Sequence, residues 1–212
     1  MIQKIFEKDY LPRLDNIIQW QERDVHQRES VSQHSYKVVV FTRVLLNETF
    51  GVPDTYEILQ FKQACIDHAI FHDWDEALIT RDLSHVMKYN EYNGEAIRKA
   101  VDDLSEHICS REFIDESDSP AGLFLYNSIS HYDTDVHTFV KLADWLALYF
   151  FCIREIKFGH TAFINDEQYV RQGVVKARDV VLEMLSRKFR RGIVNEYHLI
   201  NDINNIVSKY EK

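Results

Sequence analysis

The sequence predicts an all-α protein folded as one domain over residues 1–212. Three observations carry that expectation. The 212 residues include only 6 Gly and 3 Pro, too few to punctuate an all-β chain that turns every ten residues or so. Apolar residues recur at spacings of three and four over long stretches, which is the period of a helix face. No repeat, low-complexity tract or shift in composition marks a boundary, and a chain of this length buries roughly 70% of its unfolded surface around a single core.

The elements follow in order. Residues 3–20 read as an amphipathic helix with Ile5, Phe6, Leu14, Ile17, Ile18 and Trp20 as apolar positions and Pro12 as an interruption. A polar loop covers 21–30. Ser32 then offers a hydroxyl N-cap to a helix through Val38, Val39, Phe41, Val44, Leu45 and Leu46, stopped at Gly51-Val52-Pro53. Another helix spans 55–72 through Ile58, Leu59, Phe61, Ala64, Cys65, Ile66 and Ala69, and 73–89 reads as a short helical turn followed by an ordered loop. Residues 91–111 are helical, with Ile97, Val101, Leu104 and Ile108 three and four apart. The acidic patch 115–119, followed by Pro120, marks a surface loop. Helices over 123–130, 137–157, 166–187 and 194–208 complete the chain.

Charge narrows the function classes. The formal net charge is -9 and no dense basic run occurs, so the chain lacks the stripe that releases counterions from a nucleic acid polymer. A small anionic substrate remains compatible if the site supplies its own positive charge, as a bound metal does. Cys65, Cys109 and Cys152 are odd in number and form no CxxC pair, as expected of a reducing cytoplasm. The opening MIQKIFEKDY has no signal-peptide core, and the longest greasy stretch, 142–153, is broken by Asp144. The expectation is a soluble cytoplasmic protein with no membrane partner.

Four residues at three places carry chemistry. His34 opens the second long helix, His72-Asp73 ends the third, and Asp144 interrupts the most apolar helix of the chain. Each has a plain reading alone: a hydrogen-bonded histidine among 10, a pair favoured by a helix C-terminus, a carboxylate paired to Lys or Arg. A charge among Leu142, Ala143, Leu146, Ala147 and Leu148 must be paired or metal-bound, because isolated burial costs several kcal/mol or more. Imidazole and carboxylate together suit one divalent Mn, Fe, Co, Ni or Zn ion better than Ca or Mg.

Taken together, the order H…HD…D on a helical chain resembles the HD-domain metal-dependent phosphohydrolase superfamily. Arg28-Glu29-Ser30-Val31-Ser32-Gln33-His34-Ser35, His72-Asp73-Trp74-Asp75-Glu76, Thr80-Arg81-Asp82-Leu83 with Val86-Met87-Lys88-Tyr89, and Lys141-Leu142-Ala143-Asp144 resemble in order the strings of its YfbR-like 5'-deoxynucleotidase branch. The resemblance runs over about 14–160, and the helices of 165–210 carry no motif. It implies an HD-domain helical bundle in which His34, His72, Asp73 and Asp144 hold the metal. The metal polarises a phosphoryl group and activates water. Glu76, one helical turn after Asp73, handles a proton or orients that water, and Asp82 supplies a second carboxylate. Lys88 matches the loop lysine that meets phosphate, while Arg28 and Lys141 suit either phosphate or a carboxylate behind the ligands.

Trp20 falls where the branch sets a tryptophan against the sugar, and it also suits the core of the first helix. The branch has Arg-Trp there, whereas this chain has Gln19-Trp20, so one guanidinium is missing from the substrate side. His85 is a second departure. Three functions remain: removal of phosphate from a deoxynucleoside 5'-monophosphate, a deoxynucleoside triphosphohydrolase acting for instance on dATP, and a metal-stabilised binding module without turnover. Relatives of this type are often homodimers, and the aromatic run 145–151 suits either a core or a subunit contact.

Overall fold

A computed structural model describes residues 10–20, 24–50, 55–74, 76, 94–109, 133–189 and 193–209. The described helices are α1 (Tyr10–Asn16), α2 (Val31–Thr49), α3 (Tyr56–Phe71), α4 (Gly94–Cys109), α5 (Thr134–Lys157), α6 (Phe163–Lys188) and α7 (Glu196–Ser208). Among the described residues there is no named strand, only the isolated bridges Ile18 to Ser30 and Phe50 to Val194. The all-α class stands. The chain divides into two compact units, one of Met1–Tyr36 and Ile70–Tyr132, the other of Lys37–Ala69 and Asp133–Lys212.

In the first unit the opening helix is shorter than its apolar pattern suggests. α1 ends at Asn16. Residues 17–20 instead run antiparallel to 29–31, tied by Gln19 N–H to Glu29 C=O at 2.8 Å and Val31 N–H to Ile17 C=O at 2.9 Å. Backbone groups of Ile17 and Gln19 are thus satisfied by a distant segment, so the helix need not continue to satisfy them. The start of α2 also shifts. Ser30, not Ser32, caps it: Gln33 N–H donates to Ser30 Oγ at 3.3 Å, and Ser30 N–H donates to Gln33 Oε1 at 3.1 Å. This reciprocal pair is a capping box. Ser32 turns its hydroxyl to Asp15 at 2.5 Å, tying α2 back to α1.

The second unit holds the apolar core of α5, α6 and α7. α5 packs along α6, and α7 rests on α6, with the buried Tyr149 hydroxyl donating to the Val207 carbonyl at 3.4 Å. Phe50, Phe61, Phe139 and Phe189 stack edge to face, with ring centroids 5.0 to 6.0 Å apart, a favourable aromatic arrangement. Thr55 caps α3 through Ile58 N–H at 3.3 Å. His68 Nε2 and His137 Nδ1, 3.2 Å apart, join α3 to α5. Gly159, at φ +96°, turns the chain from α5 into α6 in a conformation that a side chain would strain.

α5 is long and apolar enough to cross a bilayer by length and composition, Asp144 notwithstanding, yet 78% of its apolar stretch is buried within the protein. A core helix behaves this way. The free thiols of Cys65 and Cys152 are buried, and burial pushes both well above the ordinary thiol range.

Ion pairs fasten the end of α6 to the start of α5. Asp135 accepts from Lys188 Nζ and from Arg187 Nη2, each at 2.9 Å, and Lys188 also lies 3.5 Å from Asp133. The Lys188 hydrogen bond, reinforced by both cations, holds the Asp135 carboxyl below its usual range despite some burial. Because folding lowers this pKa, the stabilisation is complete above the ordinary carboxylate range and is lost as pH falls through the folded value. Asp135→Asn is therefore expected to lower Tm at pH 7, with the gap to wild type closing as pH falls below the ordinary carboxylate range. Thermal melts across that range check it, and a gap that widens in acid contradicts the assignment.

Candidate metal centre

His34 and His72-Asp73 come together within the first unit. His34 lies in the first turn of α2, its N–H donating to Ser30 C=O at 3.0 Å, so the capping box that starts the helix also sets the ring. His72 and Asp73 occupy the turn where α3 ends, closed by Glu76 N–H donating to Asp73 C=O at 3.1 Å. Beside them the Trp74 ring meets Phe71 edge to face at 4.9 Å, which braces the turn.

One carboxylate oxygen faces both imidazoles. Asp73 Oδ2 is 3.0 Å from His72 Nε2 and 3.9 Å from His34 Nε2. The two rings tilt at 48° with centroids 5.7 Å apart, and each offers a nitrogen within 4.8 Å of the other. Donor atoms on one transition metal, bonded at about 2.0–2.2 Å, lie roughly 3 Å apart when adjacent and about 4 Å when opposite. The spacing and the donor chemistry of these residues fit such an ion.

Glu29 joins the group unannounced by the sequence. It is 2% exposed, and its Oε1 lies 3.7 Å from Nδ1 of His34, itself 2% exposed. At that distance the contact is electrostatic rather than a hydrogen bond. It favours the tautomer with the proton on Nδ1 and the lone pair on Nε2, the nitrogen that faces Asp73. The signal that marks Glu29 is an acid inside the matched string five residues before His34.

The other expected residues are distributed unevenly. Glu76 is 2% exposed, one turn beyond Asp73. Gln19 and Trp20 are buried, and the backbone of Gln19 is bonded to that of Glu29. Trp20 holds φ +58°, the left-handed region in which a bulky residue is strained. Arg28 is exposed. Asp82, His85 and Lys88 lie outside the described residues.

Asp144 belongs to the second unit, on α5, and is 6% exposed among buried Leu142, Ala143, Trp145 and Leu146. Its Oδ2 accepts from Lys141 Nζ at 2.5 Å. That partner accounts for part of the charge. An ionised carboxylate offers about four lone-pair sites, more than a single lysine hydrogen bond occupies.

A family model described as 5'-deoxynucleotidase YfbR-like matches residues 8–193. The chain is 30% identical over 160 residues to a 5'-deoxynucleotidase of Shewanella oneidensis, covering 73% of this chain and 76% of that protein. Its structure is similar to that of an HD-domain phosphohydrolase from Listeria innocua, with 18% identity, a TM-score of 0.61 and coverage of 97% of this chain and 99% of the other. A conserved hypothetical protein from Pyrococcus furiosus is similar at 18% identity and a TM-score of 0.59, with 99% of each chain covered. These two likenesses bear on the fold, and the sequence matches carry the family. The chain belongs to the YfbR-like 5'-deoxynucleotidase family.

Proposed function

We propose that the protein removes phosphate from deoxynucleoside 5'-monophosphates, using one divalent transition metal held by His34, His72, Asp73 and Asp144. The observation that carries this reading is the single Asp73 oxygen lying between the Nε2 atoms of His34 and His72. Family membership supports the choice of reaction. A bound Mn, Fe, Co, Ni or Zn ion supplies Lewis-acid polarisation of a phosphoryl oxygen and activation of water.

The chain's own residues supply the rest. Water adding to phosphorus loses a proton and the departing 5' oxygen gains one. We assign one of these transfers to Glu76, whose burial beside the ligand turn keeps its exchange local. Asp82 is the second carboxylate of the reaction, and Lys88 binds phosphate. Trp20 packs on the sugar, and Gln19 donates or accepts one neutral hydrogen bond where an arginine would pair with charge. Arg28, exposed to solvent, guides the anionic substrate. The two buried free thiols, Cys65 and Cys152, accord with a cytoplasmic enzyme.

Asp73→Ala is expected to lose metal and phosphate release together, measured by metal content of the purified protein and by inorganic phosphate from dAMP, dGMP, dCMP and dTMP. Full turnover by metal-free Asp73→Ala contradicts the metal mechanism. Tripolyphosphate released from dATP, with no phosphate from any monophosphate, moves the cut and overturns the substrate class.

Glu76→Gln separates binding from chemistry. It is expected to retain the metal and lower kcat by a factor of about 10² or more. A rate within a few-fold of wild type removes Glu76 from the proton transfer.

A further inference from the structure

Behind Asp144 the second unit contains a continuous stack of contacts that the hydrolysis itself does not require. Lys141 Nζ meets Asp144 Oδ2 at 2.5 Å and lies 5.8 Å from the Trp145 ring centroid. The Trp145 ring packs edge to face on Tyr169 of α6 at 5.9 Å. It also covers the bare Cα of Gly173: a Cβ there would come within 2.6 Å of Cε3 and Cζ3 and 2.7 Å of Cδ2. We propose that Gly173, Trp145 and Lys141 form a positioning stack that fixes the orientation in which the Asp144 carboxylate meets the metal. The inference rests on Asp144 being a ligand of that metal.

Helix stability alone does not account for these residues. An ion pair three residues apart is more favourable with the acid toward the helix N-terminus, and here the base comes first. The lysine side chain is 34% exposed, where a simple pair contributes little. Glycine in a helix interior is a worse helix former than alanine, yet α6 keeps Gly173 where the indole needs room. Lys141 has a long flexible stem, and the indole face draws its ammonium to one position by a cation–π attraction. With Nζ held there, the Oδ2 end of the carboxylate is directed toward it, which favours one rotamer. Partners behind metal ligands commonly change affinity by 10- to 100-fold.

Binding of Mn2+ alone, measured by calorimetry, tests the stack without relying on turnover, and the visible spectrum of the Co2+ form reports ligand geometry. Lys141→Gln and Gly173→Ala are each expected to weaken Mn2+ binding about tenfold or more and to alter the Co2+ spectrum. Lys141→Arg should recover most of the affinity. The Lys141→Gln/Gly173→Ala double variant should lose little beyond either single change, since both act through one path. Circular dichroism melts identify any variant that unfolds, and if Gly173→Ala does so, Lys141→Gln and Lys141→Arg decide the question. Wild-type Mn2+ affinity in folded Lys141→Gln, alongside lost affinity in Asp144→Ala, overturns the stack while leaving the metal centre intact. Wild-type affinity in Asp144→Ala removes Asp144 from the metal set and the stack with it.

Discussion

The arrangement of Asp73 between two imidazoles sets the demands that the surrounding chain meets. Holding an oxygen 3.0 Å from one ring nitrogen and 3.9 Å from another requires a helix start and a helix end to be fixed together within one unit. The capping box of Ser30 and Gln33 fixes the first. The turn closed by Glu76 fixes the second. Neither is a feature of the ligands themselves, and both are local hydrogen-bonding devices that end or begin regular structure. The geometry of His34, His72 and Asp73 is therefore inherited from the way two helices terminate.

Buried charge is handled consistently through the chain. Glu29 lies beside His34, Asp144 beside Lys141, and Asp135 beside Lys188 and Arg187. An uncompensated charge at the depth of Glu29 or Asp144 costs several kcal/mol, and both carboxylates come with a partner, while Asp135 is only half-buried. Lys141 is one such partner. Its match to a phosphohydrolase string suits it either to meet phosphate or to hold a carboxylate, and its Nζ lies 2.5 Å from Asp144 Oδ2.

The sequence made the helices legible to different degrees. α3, α5 and α6 lie within a few residues of their expected limits, because long runs with period 3.6 and few Gly or Pro leave no competing structure. α1 was overextended because Ile17, Ile18 and Trp20 continue its apolar rhythm, while the segment that takes them away, 29–31, is ten residues further on. Local periodicity carries no record of such a partner. Ser30 and Ser32 are both capable N-caps, and the glutamine at 33 favours Ser30, since it stands three residues on. Within the centre, His34, His72 and Asp73 were readable as residue types in order. Glu29 does not stand out in the sequence, because a lone acid in a polar segment resembles a solvated one, yet it is buried. The Gly173 to Asp144 stack was invisible for the same reason: its members lie as far as 32 positions apart in sequence, and only packing of α6 on α5 joins them.

Trp20 shows how the same constraints reach the segment between α1 and α2. A bulky residue at φ +58° carries strain of about 1–3 kcal/mol, which a flexible loop would release. Here the chain before it is held by the Ile18 to Ser30 bridge and by Gln19 N–H on Glu29 C=O. The residue whose carbonyl anchors Gln19 is thus the one whose carboxylate lies beside His34. Gln19 and His34 are therefore both tied to Glu29, one through its main chain and one through its carboxylate, within the first unit. Replacing an arginine by Gln19 at such a tie removes a formal charge but keeps the peptide geometry, because the anchoring bond is made by the main chain. The departure from the family pattern consequently changes the charge carried at position 19 and leaves unchanged the backbone tie that holds Trp20.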